Sequence, residues 1–106
     1  MPDFSDLMKQ AAQFQAKMEA MQAELEQMEV EGTAGGGIVT VKLTAKSELK
    51  AVSIDPSLMK PEDKEIVEDL LIAAHAEARR KAETLLQEKM KQLTGGLPLP
   101  PGLKLF

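Results

Sequence analysis

Three consecutive glycines, Gly35-Gly36-Gly37, stand directly before Ile38-Val39-Thr40-Val41-Lys42, and glycines at that density raise the chemistry of phosphate binding. A phosphate loop works through backbone N–H groups that converge on an anion at the start of a helix, with a Lys and a Ser or Thr following at fixed spacing. No Gly-Lys-Ser/Thr follows here. Instead Val39, Val41, Leu43 and Ala45 alternate with Thr40, Lys42, Thr44 and Lys46, the period of two that marks a half-buried strand. The glycines therefore read as a turn or bulge between strands, with positive φ at some of them. His75 is the only histidine. It has no Ser or Cys nucleophile at a telling spacing and reads as a structural or partly exposed residue. Asp55, Glu62, Asp63 and Glu65 offer carboxylates to a hard cation, but without a calcium-loop pattern, and acids have an ordinary place at a helix start. Cysteine is absent, which removes disulfides, thiolate zinc sites and a thiol nucleophile and suits a reducing cytosol. No catalytic constellation, metal site, cofactor or small-molecule substrate is expected.

The chemistry that remains is cationic. The 106-residue chain has a formal net charge of −4, unevenly distributed. Residues 19–31 hold five acids and no base, and residues 55–75 hold six acids against Lys60 and Lys64. Residues 76–94 hold Arg79, Arg80, Lys81, Lys89 and Lys91 against Glu77, Glu83 and Glu88, while Lys9 and Lys17 balance Asp3 and Asp6 near the start. An acidic protein that touches phosphates needs its cations gathered in this way. The same Lys and Arg also complement the macrodipole at a helix C-terminus, so charge alone leaves both readings open. Three Phe with no Trp or Tyr argue against base stacking and an aromatic-lined pocket.

The elements that must position these groups follow from periodicity. Phe4, Leu7, Ala11, Phe14, Met18, Met21, Leu25 and Met28 alternate spacings of three and four, the seam of an amphipathic helix opened by Pro2, Asp3, Ser5 and Asp6 and closed by Gly32. Strands are expected over Glu29 to Ala34, Ile38 to Ala45 and Leu49 to Ile54, with Lys46-Ser47-Glu48 joining the last two. Lys60-Pro61-Glu62-Asp63 opens a second helix, apolar at Ile66, Leu70, Ala74, Ala78, Leu85 and Leu93 and closed by Thr94-Gly95-Gly96. Its alanines, Ala73, Ala74, Ala76, Ala78 and Ala82, leave room for a close neighbour and equally suit helix propensity.

A first helix of about 25 residues is roughly 38 Å long, more than a three-stranded meander covers. The N-terminal part of the first helix and the C-terminal part of the second should project together as an antiparallel arm that includes Arg79 to Lys91. The expected architecture is α+β, a single α-β-β-β-α domain over residues 1–94 followed by a Pro/Gly-rich tail over residues 95–106. A projecting arm on a small sheet implies a homodimer, with contacts expected at Val39, Val41 and Val52. The tail Leu97-Pro98-Leu99-Pro100-Pro101-Gly102 also fits a P-x-x-P pattern that an SH3-like groove reads, or a disordered or self-packed tail. The start "MPDFSDLMKQ" has no apolar segment behind a basic start, and no apolar run approaches ~18 residues. A soluble, cytoplasmic chain without membrane association is expected.

Five collinear segments, "LMKQAAQFQAKMEAMQAEL", "GTAGGGIVTVKL", "IDPSLM", "EDLLIAAHAEARRK" and "LTGGLPLPPG", resemble the YbaB/EbfC family of small bacterial nucleoid-associated proteins. That resemblance implies a tweezer-like homodimer of α-β-β-β-α protomers that binds double-stranded DNA through its projecting helices and organises the bacterial chromosome. Family members often carry Asn where His75 stands, so the resemblance assigns it no catalytic role. The candidate DNA contacts are Lys9, Lys17, Arg79, Arg80, Lys81, Lys89 and Lys91, acting mainly on phosphates because few groups beyond Arg79 and Arg80 suit base edges. The alternative is an interaction module whose Met-rich helix docks partner helices or a DNA-repair protein.

Overall fold

The computed structural model describes residues 3–94. Helix α1 (Phe4–Gln27) leads into strands β1 (Glu29–Ala34), β2 (Val39–Thr44) and β3 (Leu49–Ile54), and helix α2 (Lys64–Thr94) is the last element of the described residues. Two single 3-10 turns, Pro56–Leu58 and Pro61–Asp63, connect β3 to α2. The strands form one antiparallel sheet in the order β1-β2-β3. The P-x-x-P segment lies outside the described residues.

Asp3 caps α1 by accepting a hydrogen bond from the Ser5 N–H, which satisfies one of the first-turn donors. The helix stops at Gln27, earlier than the expected stop at Gly32. Met28 is already extended, and its carbonyl accepts from Ala45 N–H at 3.0 Å, so pairing with β2 ends the helix. Gly32 instead sits inside β1, opposite Val41. Its missing side chain serves the sheet–helix contact: a Cβ there would collide with the Ala74 carbonyl oxygen and the Ala78 nitrogen.

Residues paired across an antiparallel ladder share a face. Val30 with Leu43, Gly32 with Val41 and Val52, and Ala34 with Val39 and Ile54 thus form one apolar face. Helix α2 lies across the β1 and β2 part of it, burying Ala74 and Ala78 against Val39, Val41 and Leu43. The close neighbour that the alanines admit is therefore β1. Ile66, expected on this apolar side, is half exposed at its rim. At the β2–β3 turn the buried Thr44 hydroxyl accepts from the N–H groups of Lys46 and Glu48, which holds Ser47 at φ 69°.

A second cluster joins the helices. Met21, Leu25 and Ala45 are buried against Met18, Met28, Leu85, Leu86, Met90 and Leu93, so the two helices run together away from the sheet as an arm. The molecule extends 71 × 24 × 17 Å. Residues 4–17 of α1 are exposed throughout, leaving the seam half-used.

The glycine turn behaves as the alternating pattern requires. Gly35, Gly36 and Gly37 have φ of 64°, 75° and 99°, and Gly37 N–H closes the turn on the Ala34 carbonyl at 3.2 Å. A Cβ at Gly36 or Gly37 meets open space, so only backbone strain opposes substitution there. Gly36→Val and Gly37→Val should each cost roughly 1–2 kcal/mol in urea denaturation. Stability unchanged in both would show that the turn tolerates a β-branched residue at positive φ.

Candidate nucleic-acid interface

The seven candidate cations fall into two groups. Arg79, Arg80 and Lys81 are not on the projecting arm as expected. Ala78 is buried against the sheet and the Lys81 ammonium donates to the Glu31 carbonyl of β1 at 2.8 Å, which places this group beside the sheet. The reason is the register fixed by Gly32, which seats Ala74 and Ala78 on β1. Lys9, Lys17, Lys89 and Lys91 lie on the arm. Lys81 and Lys89 are eight residues apart, about 12 Å along the helix axis.

Acids within the chain claim several of these groups. Arg79 pairs with Glu83 at 3.2 Å and Lys81 with Glu77 at 3.2 Å, each one helical turn apart. Lys89 reaches across the arm to Glu24 at 2.7 Å, and its side chain is only 18% exposed. Exposed pairs of this kind contribute little individually, so Arg79 and Lys81 remain accessible to a competing anion, whereas Lys89 pins α2 to α1. Lys9, Lys17 and the Arg80 guanidinium make no ion pair among the described residues. Lys91 is exposed near the end of α2. The i,i+4 pairs were visible in the sequence; Glu24 with Lys89, 65 residues apart, was not.

Glu77 is a residue that motif reasoning missed. Its carboxylate accepts from Lys81 and from the Thr33 N–H of β1. The Lys81 hydrogen bond, then the Thr33 N–H, holds its carboxyl below the ordinary carboxylate range, with the Lys81 and Arg80 charges adding to the effect. Its contribution is complete above the unfolded carboxylate pKa and is lost as pH falls through the lowered folded value. With Lys81 on the Glu31 carbonyl, Glu77 also satisfies backbone groups along the free edge of β1, which discourages another strand from pairing there.

The residues expected at a dimer contact are placed differently from one another. Val39 and Val41 are 0% and 2% exposed because α2 packs on their face, so both are used inside the protomer. Val52 shares that face but lies on β3, beyond the cover of α2, and is 44% exposed. His75 is exposed beside Arg79 and Ile72 on the outer side of α2. Among the described residues no group of three or more His, Cys, Asp or Glu is arranged to hold a metal ion, and no helix is long and apolar enough to cross a membrane.

A helix, a three-stranded antiparallel meander and a long second helix define a small α+β class of protein. The chain belongs to the YbaB/EbfC DNA-binding family, whose model matches residues 1–97. It is 66% identical over 103 residues to a protein of Nitrobacter winogradskyi, covering 97% of each chain, and 65% identical over 105 residues to one of Rhodopseudomonas palustris, covering 99% of each. Both relatives bear the name nucleoid-associated protein. The crystal structure of an uncharacterized protein from Helicobacter pylori shares the fold, with a TM-score of 0.78 at 24% identity over 90% of this chain and all of that one.

Proposed function

We propose that this protein binds duplex DNA in the cytoplasmic nucleoid as a homodimer, holding phosphates with cations of its projecting arms and carrying out no catalysis. Membership of a DNA-binding family and the name of its relatives support DNA as the partner. The observation that carries the reading is the exposure of three cations, Lys9, Lys17 and Lys91, along the two-helix arm, which also carries Glu19, Glu24 and Glu26 of α1. Contacts of this kind are electrostatic and salt-dependent. The test is whether labelled duplex is bound at low salt and released as salt rises.

The homodimer reading rests on the outer face of α2. Ile72 is 70% exposed and lies about 160° around the helix from the buried Ala74, with Ala76 beside it. Glu68 and Asp69 precede this apolar patch on the same face and Arg79 and Arg80 follow it. Two copies of α2 crossing antiparallel about a two-fold axis near Ile72 and Ala76 set the acids of each against the arginines of the other, a self-complementary arrangement. Arg79 and Arg80 then belong to the dimer contact, and the arms keep the phosphate contacts. Light scattering should give about twice the 11.6 kDa chain mass, and Ile72→Glu should give the single-chain mass. A dimer that survives Ile72→Glu at micromolar concentration would place the contact elsewhere.

A further inference from the structure

The first half of α1 presents an apolar seam that nothing in residues 3–94 covers. Phe4, Leu7, Met8 and Phe14 are between 45% and 74% exposed, although their continuation, Met18, Met21 and Leu25, packs under α2. One helix face thus serves a helix–helix contact in its second half and stands open in its first. The spacing of that first half is heptad-like. Phe4 and Ala11 take a positions and Leu7 and Phe14 take d positions, which puts Asp3, Gln10 and Lys17 at g and Met8 at e.

Two copies of this segment fit each other when laid antiparallel. An a residue then meets a d residue, so Phe4 packs on Phe14 of the second copy and Leu7 on its Ala11, four layers in about 15 Å. The g positions meet one another along one flank: Asp3 falls opposite Lys17 of the second copy, Lys17 opposite its Asp3, and Gln10 opposite Gln10 beside the two-fold axis. Along the other flank Met8 meets Met8. Asp3 caps α1 with Oδ1, which leaves its second oxygen for an ammonium, and Lys17 makes no ion pair among the described residues. A parallel pair loses this match, because it sets Asp3 beside Met8 in place of a cation. It would also crowd the two α2 helices, which hold the seam from Met18 onward, at one end. Antiparallel pairing keeps the two bodies at opposite ends.

We propose that the Phe4, Leu7, Ala11 and Phe14 face of α1 docks antiparallel on the same face of a second copy, in place of a helix from another protein or a further segment of its own chain. The contact is self-complementary, as a two-fold interface must be. At about 15 Å in length it is smaller than a stable interface, so it is sparsely formed at micromolar concentration and fills where copies are crowded together. Lys9 lies at the f position, about 160° from Leu7, and stays outward. The contact rests neither on the α2 crossing at Ile72 nor on DNA binding.

The absence of cysteine makes site-specific trapping straightforward. In the full-length chain at high concentration, Met8→Cys and Gln10→Cys each stand opposite themselves across the axis. A short bis-maleimide should join two chains at either position, seen on a denaturing gel, and should join few at Ala16→Cys on the outward side of α1. Adding Lys17→Asp to the Met8→Cys chain sets like charges opposite each other and should lower the yield roughly fivefold. Adding Asp3→Lys as well should restore it. These positions are exposed, so the fold of the monomer is kept. Met8→Cys linking no better than Ala16→Cys would overturn the proposal, whether the seam is then free or covered by another segment of its own chain. A Lys17→Asp loss that Asp3→Lys does not restore would overturn the antiparallel register and the proposal with it.

Discussion

Gly32→Ala should lower the stability of this protein by about 3 kcal/mol or more, or prevent folding outright, the largest effect expected of any single methyl group in the chain. The added Cβ would meet the Ala74 carbonyl oxygen, the Ala78 nitrogen and, at 2.9 Å, the Ala78 Cα. All three are backbone atoms, so no side-chain rotation relieves the clash. Relief requires α2 to lift from β1, which opens the packing of Val39, Val41 and Leu43 against Ala74 and Ala78. It would also pull Lys81 from the Glu31 carbonyl and Glu77 from the Thr33 N–H. The comparison with Gly36, where an added Cβ meets nothing within 4 Å, isolates this cause from the general conformational cost of replacing glycine. Urea denaturation of Gly32→Ala and Gly36→Ala side by side provides the measurement. Gly32→Ala within 1 kcal/mol of wild type would mean that sheet and helix are not in this contact.

Much of this architecture was legible because the determining patterns are local. The alternation from Val39 to Thr44, the bounds of β3 and the positive φ of Gly35 to Gly37 each follow from neighbouring residues. The α1 seam was equally clear, as was the projecting arm that two long helices impose on a small sheet. What escaped depends on distant partners. Gly32 looked like a helix stop because its reason for being glycine lies at Ala74 and Ala78, more than forty residues on. The apolar face of β2 was correctly read as buried, but sequence does not say which element buries it; α2 does, packing Ala74 and Ala78 on Val39 and Val41 within the protomer. The same register moved Arg79, Arg80 and Lys81 from the arm to the flank of the sheet. The candidate site was thus readable as a set of cations and not as a surface.

Replacing Lys9, Lys17 and Lys91 together by Ala should sharply weaken duplex binding and leave the fold intact. The three positions are exposed, and none contributes a side chain to either apolar cluster. In a dimer the variant removes six cations, and every lost phosphate contact lowers the slope of log K against log salt by roughly 0.9. The full loss, if all six touch phosphate, is therefore a slope smaller by about five. Arg79→Ala with Arg80→Ala serves as the contrast. That pair should weaken the dimer first and DNA binding as a consequence, so covalently joined protomers carrying it should recover affinity. A Lys9/Lys17/Lys91 variant that binds with unchanged affinity and slope would reduce these lysines to a solvated helix surface.

Whether an acidic chain binds duplex DNA through a few segregated cations is addressed most directly by the affinity of the unaltered protein across a salt series. Fluorescence anisotropy of a labelled duplex should show saturable binding at low salt, with log K falling linearly as log salt rises and a slope corresponding to several phosphate contacts. Absence of binding at the lowest salt, or an affinity that does not change with salt, would contradict this mode of binding.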